Sequence, residues 1–181
     1  MNQSINLTEE IVERCRRGDE RARYALYQQY VKPMYNVAYR IVGNQFDAED
    51  VVQDAFVKAF KKIGTLKEFK ALTSWLKQIV VNEAISLIRK QKKMHLISEY
   101  VEQVPDVEIG EVADDLPMEQ VMKTIQELPD GARIVFTLRA IEGYRFNEVA
   151  ELTSQTVNNC KVQFHRAKKL LNSKLKTILY A

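Results

Sequence analysis

The chain has 181 residues, 46% of them hydrophobic and 28% charged, and its formal net charge is +3. These values are ordinary for a soluble globular protein with one domain or two small ones. No apolar run reaches the roughly 18–20 residues that a bilayer span needs, and the N-terminal segment lacks the apolar core of a signal peptide. The two cysteines, Cys15 and Cys160, fit free thiols, so we expect a cytoplasmic protein with no membrane span.

The N-terminal part is predicted to be a helical module over about residues 1–93. Glycine (6) and proline (4) are scarce and apolar residues recur at helical spacing, so we expect an all-α fold. One helix, DAEDVVQDAFVKAFKKIG, has an apolar face and a polar face. Four residues of the polar face are functional candidates: Glu49, Asp50, Gln53 and Asp54. From the pattern alone, a solvated acidic face is a better interpretation of them than catalytic carboxylates.

The segment from Lys58 to Lys93 is strongly basic, with ten Lys or Arg residues against Glu68 and Glu83. Basic residues interleaved with apolar and aromatic ones suit single-stranded DNA, because phosphates need charge and unstacked bases need a stacking surface. The candidate DNA-binding residues are Lys67, Lys70, Trp75, Asn82, Arg89 and Lys90. A lone Trp on a helix is usually a core residue, but Trp75 begins a helix that ends in RKQKK.

An acidic window separates this module from the C-terminal one. No Lys or Arg occurs between Lys93 and Lys123, where eight of the chain's 24 acidic residues lie. The rest of the chain carries 27 basic residues against 16 acidic ones, which favours a polyanionic partner. The window also contains two prolines and a glycine and shows little helical periodicity. It predicts a flexible acidic linker over residues 94–118 and a second helical module over residues 119–181.

Four helices are predicted in the C-terminal module, and the last two have the spacing of a helix-turn-helix. On the last helix Cys160, Phe164, Ala167 and Leu171 recur at spacings of 4, 3 and 4 residues and form one buried face. The remaining faces combine amides, which suit base edges, with cations, which suit phosphates. The candidate DNA-binding residues here are Asn158, Asn159, Lys161, Gln163 and Arg166.

Sequence motifs for other chemistry are absent. His95 and His165 lie in different modules, and neither has a second ligand at metal-binding spacing, so we expect no metal and no cofactor. The sequence has no phosphate-binding loop, no dinucleotide-binding glycine motif and no nucleophile elbow. These observations argue against an enzyme.

Several motifs, in this order along the chain, resemble the small two-domain sigma factors of the extracytoplasmic-function (ECF) group. DAEDVVQDAF is similar to region 2.2 of these proteins, and TSWLKQIVVNEAISLIRKQKK is similar to regions 2.3 and 2.4. ELPDGARIVFTLRAIEGYRFNEVAEL, followed by HRAKKLL, is similar to region 4. The resemblance covers nearly the whole chain. It implies a non-enzymatic subunit that binds core RNA polymerase and directs promoter recognition, −10 melting and transcription initiation.

The resemblance also implies a role for each candidate surface. The acidic face around Asp50 would dock on the polymerase clamp. The loop Leu66–Thr73 and the helix after it would melt the −10 element and capture a flipped base near Asn82. The C-terminal module would bind the −35 element and the polymerase flap, and the acidic linker would run through the RNA-exit path. An anti-sigma factor is a further implied partner.

Three positions depart from the family pattern. Ser86 stands where Asp is usual, and Leu72 stands where an aromatic residue is common. Ser154 replaces the turn glycine, although the spacing from Glu148 to His165 is kept. If Ser154 has a left-handed backbone, the substitution costs on the order of 1 kcal/mol. These departures concern promoter contacts more than the motif itself.

Two other functions fit parts of the pattern. A conventional helix-turn-helix regulator with an N-terminal sensor would have a ligand pocket in residues 1–93 and would not bind polymerase. A helical adaptor with no nucleic-acid role would not need the basic surfaces of either module.

Overall fold

The computed structural model describes residues 2–91 and 118–179, with side chains over residues 8–91 and 119–177. Every regular element in these ranges is helical, which confirms the all-α prediction. The chain divides into two compact units after Ile88. The predicted linker, residues 94–118, lies outside the described residues except for Met118, where a helix begins. Its boundaries therefore stay predictions.

None of the helices in these two ranges is both long enough and apolar enough to cross a membrane.

The N-terminal unit is a bundle of four helices. They are α1 (Asn2–Arg16), α2 (Glu20–Val42), α3 (Gln45–Lys62) and α4 (Leu72–Gln91), of which only the last three residues lie beyond the division after Ile88. Its core is aliphatic, with Leu26, Ile41 and Leu76 among the largest fully buried side chains. Two short 3-10 turns, Ile63–Thr65 and Phe69–Ala71, connect α3 to α4, and α1 packs against both.

Side chains and a glycine define the helix ends in this unit. The Asp19 carboxylate caps α2 by accepting hydrogen bonds from the amides of Arg21 and Ala22 at 2.9 and 3.2 Å. Gly43 ends α2 with φ +87°, a left-handed conformation that favours glycine. Asn44 then caps α3 through the amide of Asp47 at 2.9 Å. These adjacent signals fix the sharp turn that places α3 beside α2.

Asp19 also makes the stability of the N-terminal unit depend on pH. A hydrogen bond from Arg14 and those from the helix amides lower the pKa of the Asp19 carboxyl. Because the folded-state pKa is depressed, its contribution is present above the unfolded-state pKa of about 3.9 and is lost as pH falls through the lower folded-state value. We expect Asp19→Ala to melt at a lower temperature than the wild type at neutral pH, with a difference that shrinks in acid.

Thermal unfolding followed by circular dichroism across the acid range checks this expectation. Asp19→Asn is the matched control, because an amide keeps a capping oxygen but has no charge to titrate. Its difference from Asp19→Ala should not change with pH. A wild-type advantage that stayed constant from neutral pH into strong acid would contradict the assignment.

The C-terminal unit contains four further helices. They are α5 (Met118–Gln126), α6 (Asp130–Phe136), α7 (Phe146–Thr153) and α8 (Val157–Leu179). A π-helical turn, Thr137–Ile141, extends α6. Helix α8 packs against the other three, and its Ala167 and Leu171 are buried in a cluster with Ile125 of α5. The Phe164 ring stacks on Phe136 at 5.8 Å and meets Phe146 edge-on at 5.5 Å.

The turn between α5 and α6 is stabilised by a buried arginine. Arg133 is only 6% exposed, and its guanidinium contacts the Asp130 carboxylate at 2.6 Å. It also donates to the carbonyls of Gln126 and Leu128, both at 3.3 Å. A buried charge is tolerable only when it is paired and hydrogen-bonded, and here both conditions hold. Arg133 therefore connects the end of α5 to the start of α6.

Candidate nucleic-acid interface

The acidic face of α3, formed by Glu49, Asp50, Gln53 and Asp54, lies entirely on the surface. The opposite side of the helix, which includes Val51, Val52 and Phe56, is buried in the core. Within the described residues the Asp50 and Asp54 carboxylates form no ion pair. Gln45 donates a hydrogen bond to Glu49 at 2.8 Å. The structure thus presents unneutralised negative charge on a rigid helix.

Two apolar residues, neither of them among the candidates predicted from the sequence, extend this face. Phe46 is 80% exposed and Val57 is 51% exposed. They lie at helical spacing on either side of the acids, so one surface stripe runs from Phe46 through Asp50 and Asp54 to Val57. Exposed apolar residues that are rimmed by polar ones mark protein interaction sites where they form a continuous patch. The sequence contains one sign of this exposure: Phe46 and Val57 do not lie at the helical positions that form the buried face of α3.

The loop between α3 and α4, residues 63–71, presents two of the predicted DNA-binding lysines. Lys67 and Lys70 are both exposed. Leu66 comes just before these lysines and anchors the loop in the core, since its side chain is only 3% exposed. Helix α4 begins at Leu72, so the loop ends two residues before the predicted boundary at Thr73. Leu72 is 2% exposed and is a core residue, so this departure from the family pattern changes packing and not an exposed loop contact.

One side of α4 carries most of the other candidates for single-stranded DNA. Trp75, Asn82, Ser86 and Arg89 follow each other at spacings of 7, 4 and 3 residues, which places them on one helix face. Asn82 and Ser86 are exposed, whereas Trp75 and Arg89 are half-buried. Lys90 is exposed on the neighbouring flank. The structure therefore brings Trp75 and Asn82 to one surface, about 10 Å apart along the helix axis at 1.5 Å per residue.

The turn between α7 and α8 keeps helix-turn-helix geometry without a glycine. Ser154 has φ +54° and ψ +41°, the left-handed conformation expected for the missing turn glycine. Its amide donates to the carbonyl of Glu151 at 3.3 Å, and the Gln155 amide donates to Ala150 at 3.0 Å. The Thr156 hydroxyl then caps α8 through the Asn159 amide at 3.1 Å. Ser154 has the only positive φ of a non-glycine residue in the described ranges.

We expect Ser154→Gly to stabilise the C-terminal unit by about 1 kcal/mol, because glycine adopts the left-handed conformation without a Cβ clash. Chemical denaturation, followed through the C-terminal transition, measures the change. Ser173→Gly is the control, since Ser173 is exposed within α8, where glycine should destabilise by about half a kcal/mol. Two changes of the same sign would show that the left-handed turn is not the cause.

The candidate DNA-binding residues of α8 fall into two groups. Asn158, Lys161 and Arg166 are exposed. Asn159 and Gln163 are half-buried. The side-chain amide of Asn159 donates a hydrogen bond to the side-chain oxygen of Gln155 at 3.1 Å, and the Gln163 side chain lies against Gly131 at the start of α6. The first group forms the outer surface of the helix, and the second lies on its flank. Lys169, which is exposed and three residues beyond Arg166, belongs with the first group by helix periodicity.

Buried contacts hold the two helices of this motif together. Val149 of α7 and Cys160 of α8 are completely buried. The Thr153 hydroxyl donates to the Val149 carbonyl at 2.7 Å and lies 3.8 Å from the Cys160 sulfur. Burial raises the pKa of the Cys160 thiol, as it does for Cys15, and both cysteines are free. These thiols act as small apolar core groups.

The chain matches two family models, one for each unit. Residues 26–94 match Sigma-70 region 2, and residues 118–171 match Sigma-70, region 4. The first match contains the acidic face of α3, the α3–α4 loop and all of α4. The second contains α7, the turn after it and α8 as far as residue 171.

Curated relatives and solved structures agree with these matches. RNA polymerase sigma factor SigV of Bacillus subtilis is 31% identical over 78% of this chain and 83% of its own length. ECF RNA polymerase sigma factor SigW, also of Bacillus subtilis, is 28% identical over 92% of this chain and 96% of its own length. The sigma factor RpoE of Bartonella quintana, solved in complex with the anti-sigma factor NepR, shares the fold with a TM-score of 0.56. That structure is 24% identical and covers 84% of this chain and 96% of its own.

The fold and its surfaces define a two-domain transcription factor with a region 2 bundle and a region 4 helix-turn-helix. The chain belongs to the ECF group of sigma-70 RNA polymerase sigma factors, which direct promoter recognition at the start of transcription. This confirms the family and the general function that the sequence motifs imply.

Proposed function

We propose that the acidic face of α3 is the main contact with the core RNA polymerase clamp. Its four polar residues are exposed, and within the described part of the chain Asp50 and Asp54 form no ion pair. Phe46 and Val57 supply exposed apolar area that would be buried when the polymerase binds. Complementary charge would speed association and orient the complex, while the apolar pair would slow dissociation.

The α3–α4 loop and the outer side of α4 bind the melted −10 element in this proposal. Lys67, Lys70 and Lys90 supply phosphate contacts, and half-buried Trp75 supplies a rigid edge against which an unstacked base can pack. Asn82 has both a donor and an acceptor for a base edge. Arg89 lies on the same helix face at its C-terminal end. This arrangement favours single-stranded over duplex DNA because its stacking surface needs bases that are already unpaired.

The exposed side of α8 binds the −35 element in the major groove. Asn158 lies in the first turn, as the base-contacting residues of a recognition helix do, and Lys161 and Arg166 are suited to phosphates. Asn159 and Gln163, which lie on the flank, orient neighbouring groups or contact DNA at the edge of the site. The flap of the polymerase is a further partner of this domain.

The domain organisation that we propose is a region 2 domain over residues 1–93, an acidic linker over 94–118 and a region 4 domain over 119–181. The protein acts in the cytoplasm, has no catalytic activity of its own, and is held inactive by an anti-sigma factor. The last point is supported by the sigma–anti-sigma complex formed by the structurally similar Bartonella quintana protein.

Run-off transcription with core polymerase tests the proposal as a whole. The exposed acidic stripe of α3 carries it, since negative charge repels DNA phosphates and suits a basic protein partner instead. We expect this chain to direct core polymerase to discrete start sites on a subset of genomic promoter fragments. Core polymerase alone should give none of these transcripts. Binding to duplex DNA without any promoter-specific transcript would instead support a conventional helix-turn-helix regulator.

A further inference from the structure

An arginine at the end of α1 contacts the loop that carries the proposed −10 lysines. The Arg16 guanidinium donates a hydrogen bond to the backbone carbonyl of Leu66, fifty residues away in the chain. The same guanidinium lies over the ring of Phe69, 5.3 Å from the ring centroid. Neither Arg16 nor Phe69 is among the candidate DNA-binding residues.

A carboxylate on α1 holds the guanidinium in this position. Glu13, one turn earlier, accepts a hydrogen bond from Arg16 and forms an ion pair with it. The side chain of Arg16 is 26% exposed, so the charge is partly shielded from solvent and its contacts are worth more than those of a fully exposed arginine. The planar guanidinium can donate at its edge and stack with its face at the same time, which a lysine cannot do.

The two contacts lie immediately before the two lysines. The Leu66 carbonyl belongs to the peptide unit that leads to Lys67, and the Phe69 ring precedes Lys70. Backbone hydrogen bonds also shape the loop: the Leu66 amide donates to the Ile63 carbonyl at 3.3 Å, and the Ala71 amide donates to the Glu68 carbonyl at 2.9 Å. Loops are costly to order, so a loop already fixed at two points loses less entropy when it binds DNA.

We propose that Arg16 is a positioning residue for −10 recognition, which fixes the α3–α4 loop so that Lys67 and Lys70 are presented to the melted strand. The inference rests on the proposed role of this loop. Arg16 does not itself touch DNA. It acts through the Leu66 carbonyl and the Phe69 ring, and its loss should slow promoter opening without weakening the initial promoter complex.

Promoter opening by the reconstituted holoenzyme tests the functional part. The fluorescence of 2-aminopurine placed in the −10 element of a promoter fragment reports the unstacking of that base. Enough of each sigma variant is added to saturate core polymerase. We expect Arg16→Ala to open the promoter about tenfold more slowly, in line with the loss of one hydrogen bond to a charged donor. Closed-complex affinity should not change. Arg16→Lys should recover part of the rate, because it restores the charge and one donor.

Arg17→Ala is the matched control, since Arg17 is the next residue, is exposed, and makes no side-chain hydrogen bond, ion pair or ring contact within the described part of the chain. It should open the promoter at the wild-type rate. Equal slowing by the two alanine variants would overturn the inference, and so would a wild-type rate for Arg16→Ala. Phe69→Leu keeps apolar volume but removes the ring, and it should add little to the defect of Arg16→Ala.

Hydrogen exchange in the free protein separates the positioning step from the proposed function. We expect the Ala71 amide to exchange about tenfold faster in Arg16→Ala than in Arg17→Ala, with the amides of the α2 and α3 core unchanged. Unchanged protection at Ala71 would overturn the inference, whatever the transcription result. Faster exchange together with a wild-type protein that opens no promoter would support the positioning role and reject the proposed role of the loop.

Discussion

Replacing Asp50 and Asp54 by lysine should abolish stable binding of this sigma factor to core RNA polymerase. Both carboxylates lie on the surface of α3 without an internal ion pair in the described residues, so the change removes no contact of the fold. The two lysines would face a partner surface that is positive because it complements the wild-type carboxylates. Such a like-charge contact costs several kcal/mol, and we expect binding to weaken at least about 100-fold. Competition against labelled wild-type protein for core polymerase measures the loss.

Glu9→Lys combined with Glu10→Lys is the control for this variant. Both residues are exposed on α1, and the pair changes net charge by the same amount as the α3 variant. Core binding should therefore stay close to that of the wild type. If the control pair weakened binding as strongly, net charge and not the α3 surface would be the cause. If the Asp50 and Asp54 variant bound core polymerase as tightly as the wild type, the clamp assignment would be wrong.

Truncation of the apolar residues on the same stripe separates charge from packing. Phe46→Ala should raise the dissociation rate more than it lowers the association rate, because short-range apolar contacts form after encounter. At low salt, replacing Asp50 and Asp54 by lysine should instead lower the association rate more than it raises the dissociation rate. Because Phe46 is 80% exposed, its loss should leave the melting temperature of the free protein nearly unchanged.

The helical fold and the polar faces followed from sequence because both depend on short-range periodicity. A spacing of 3.6 residues identifies the buried side of α3 and hence the exposed position of Asp50 and Asp54. The turn before α8 was also predictable, since the spacing from Glu148 to His165 leaves a fixed place for a left-handed residue. Ser154 occupies it with φ +54°.

The contacts that long-range packing creates could not be predicted in the same way. The hydrogen bond from Arg16 to Leu66 joins residues on different elements, and no local pattern marks it. The flank position of Gln163 results from how α6 meets α8, which places it against Gly131. The start of α4 at Leu72 depends on the burial of that side chain, which only the assembled bundle defines.

Replacing Lys161 and Arg166 by alanine should weaken −35 binding and reduce its salt dependence. Both are exposed on the outer side of α8. Each phosphate contact releases about 0.9 counterion from duplex DNA, so loss of two contacts should lower the slope of log affinity against log salt by about 2. The loss should be similar for all duplex sequences, because phosphates carry no direct sequence information. Holoenzyme titrated with −35 duplexes across a salt series measures the slope.

Asn158→Ala should behave in the opposite way, because an amide at the start of a recognition helix contacts a base edge. We expect a loss of about 1–3 kcal/mol for the cognate −35 sequence and little change for unrelated duplexes, with the salt slope unaltered. Lys176→Ala is the control for both variants, since Lys176 is exposed on the same helix about 27 Å along its axis from Asn158. An equal loss in Lys176→Ala would mean that general positive charge, and not a defined α8 surface, binds the promoter.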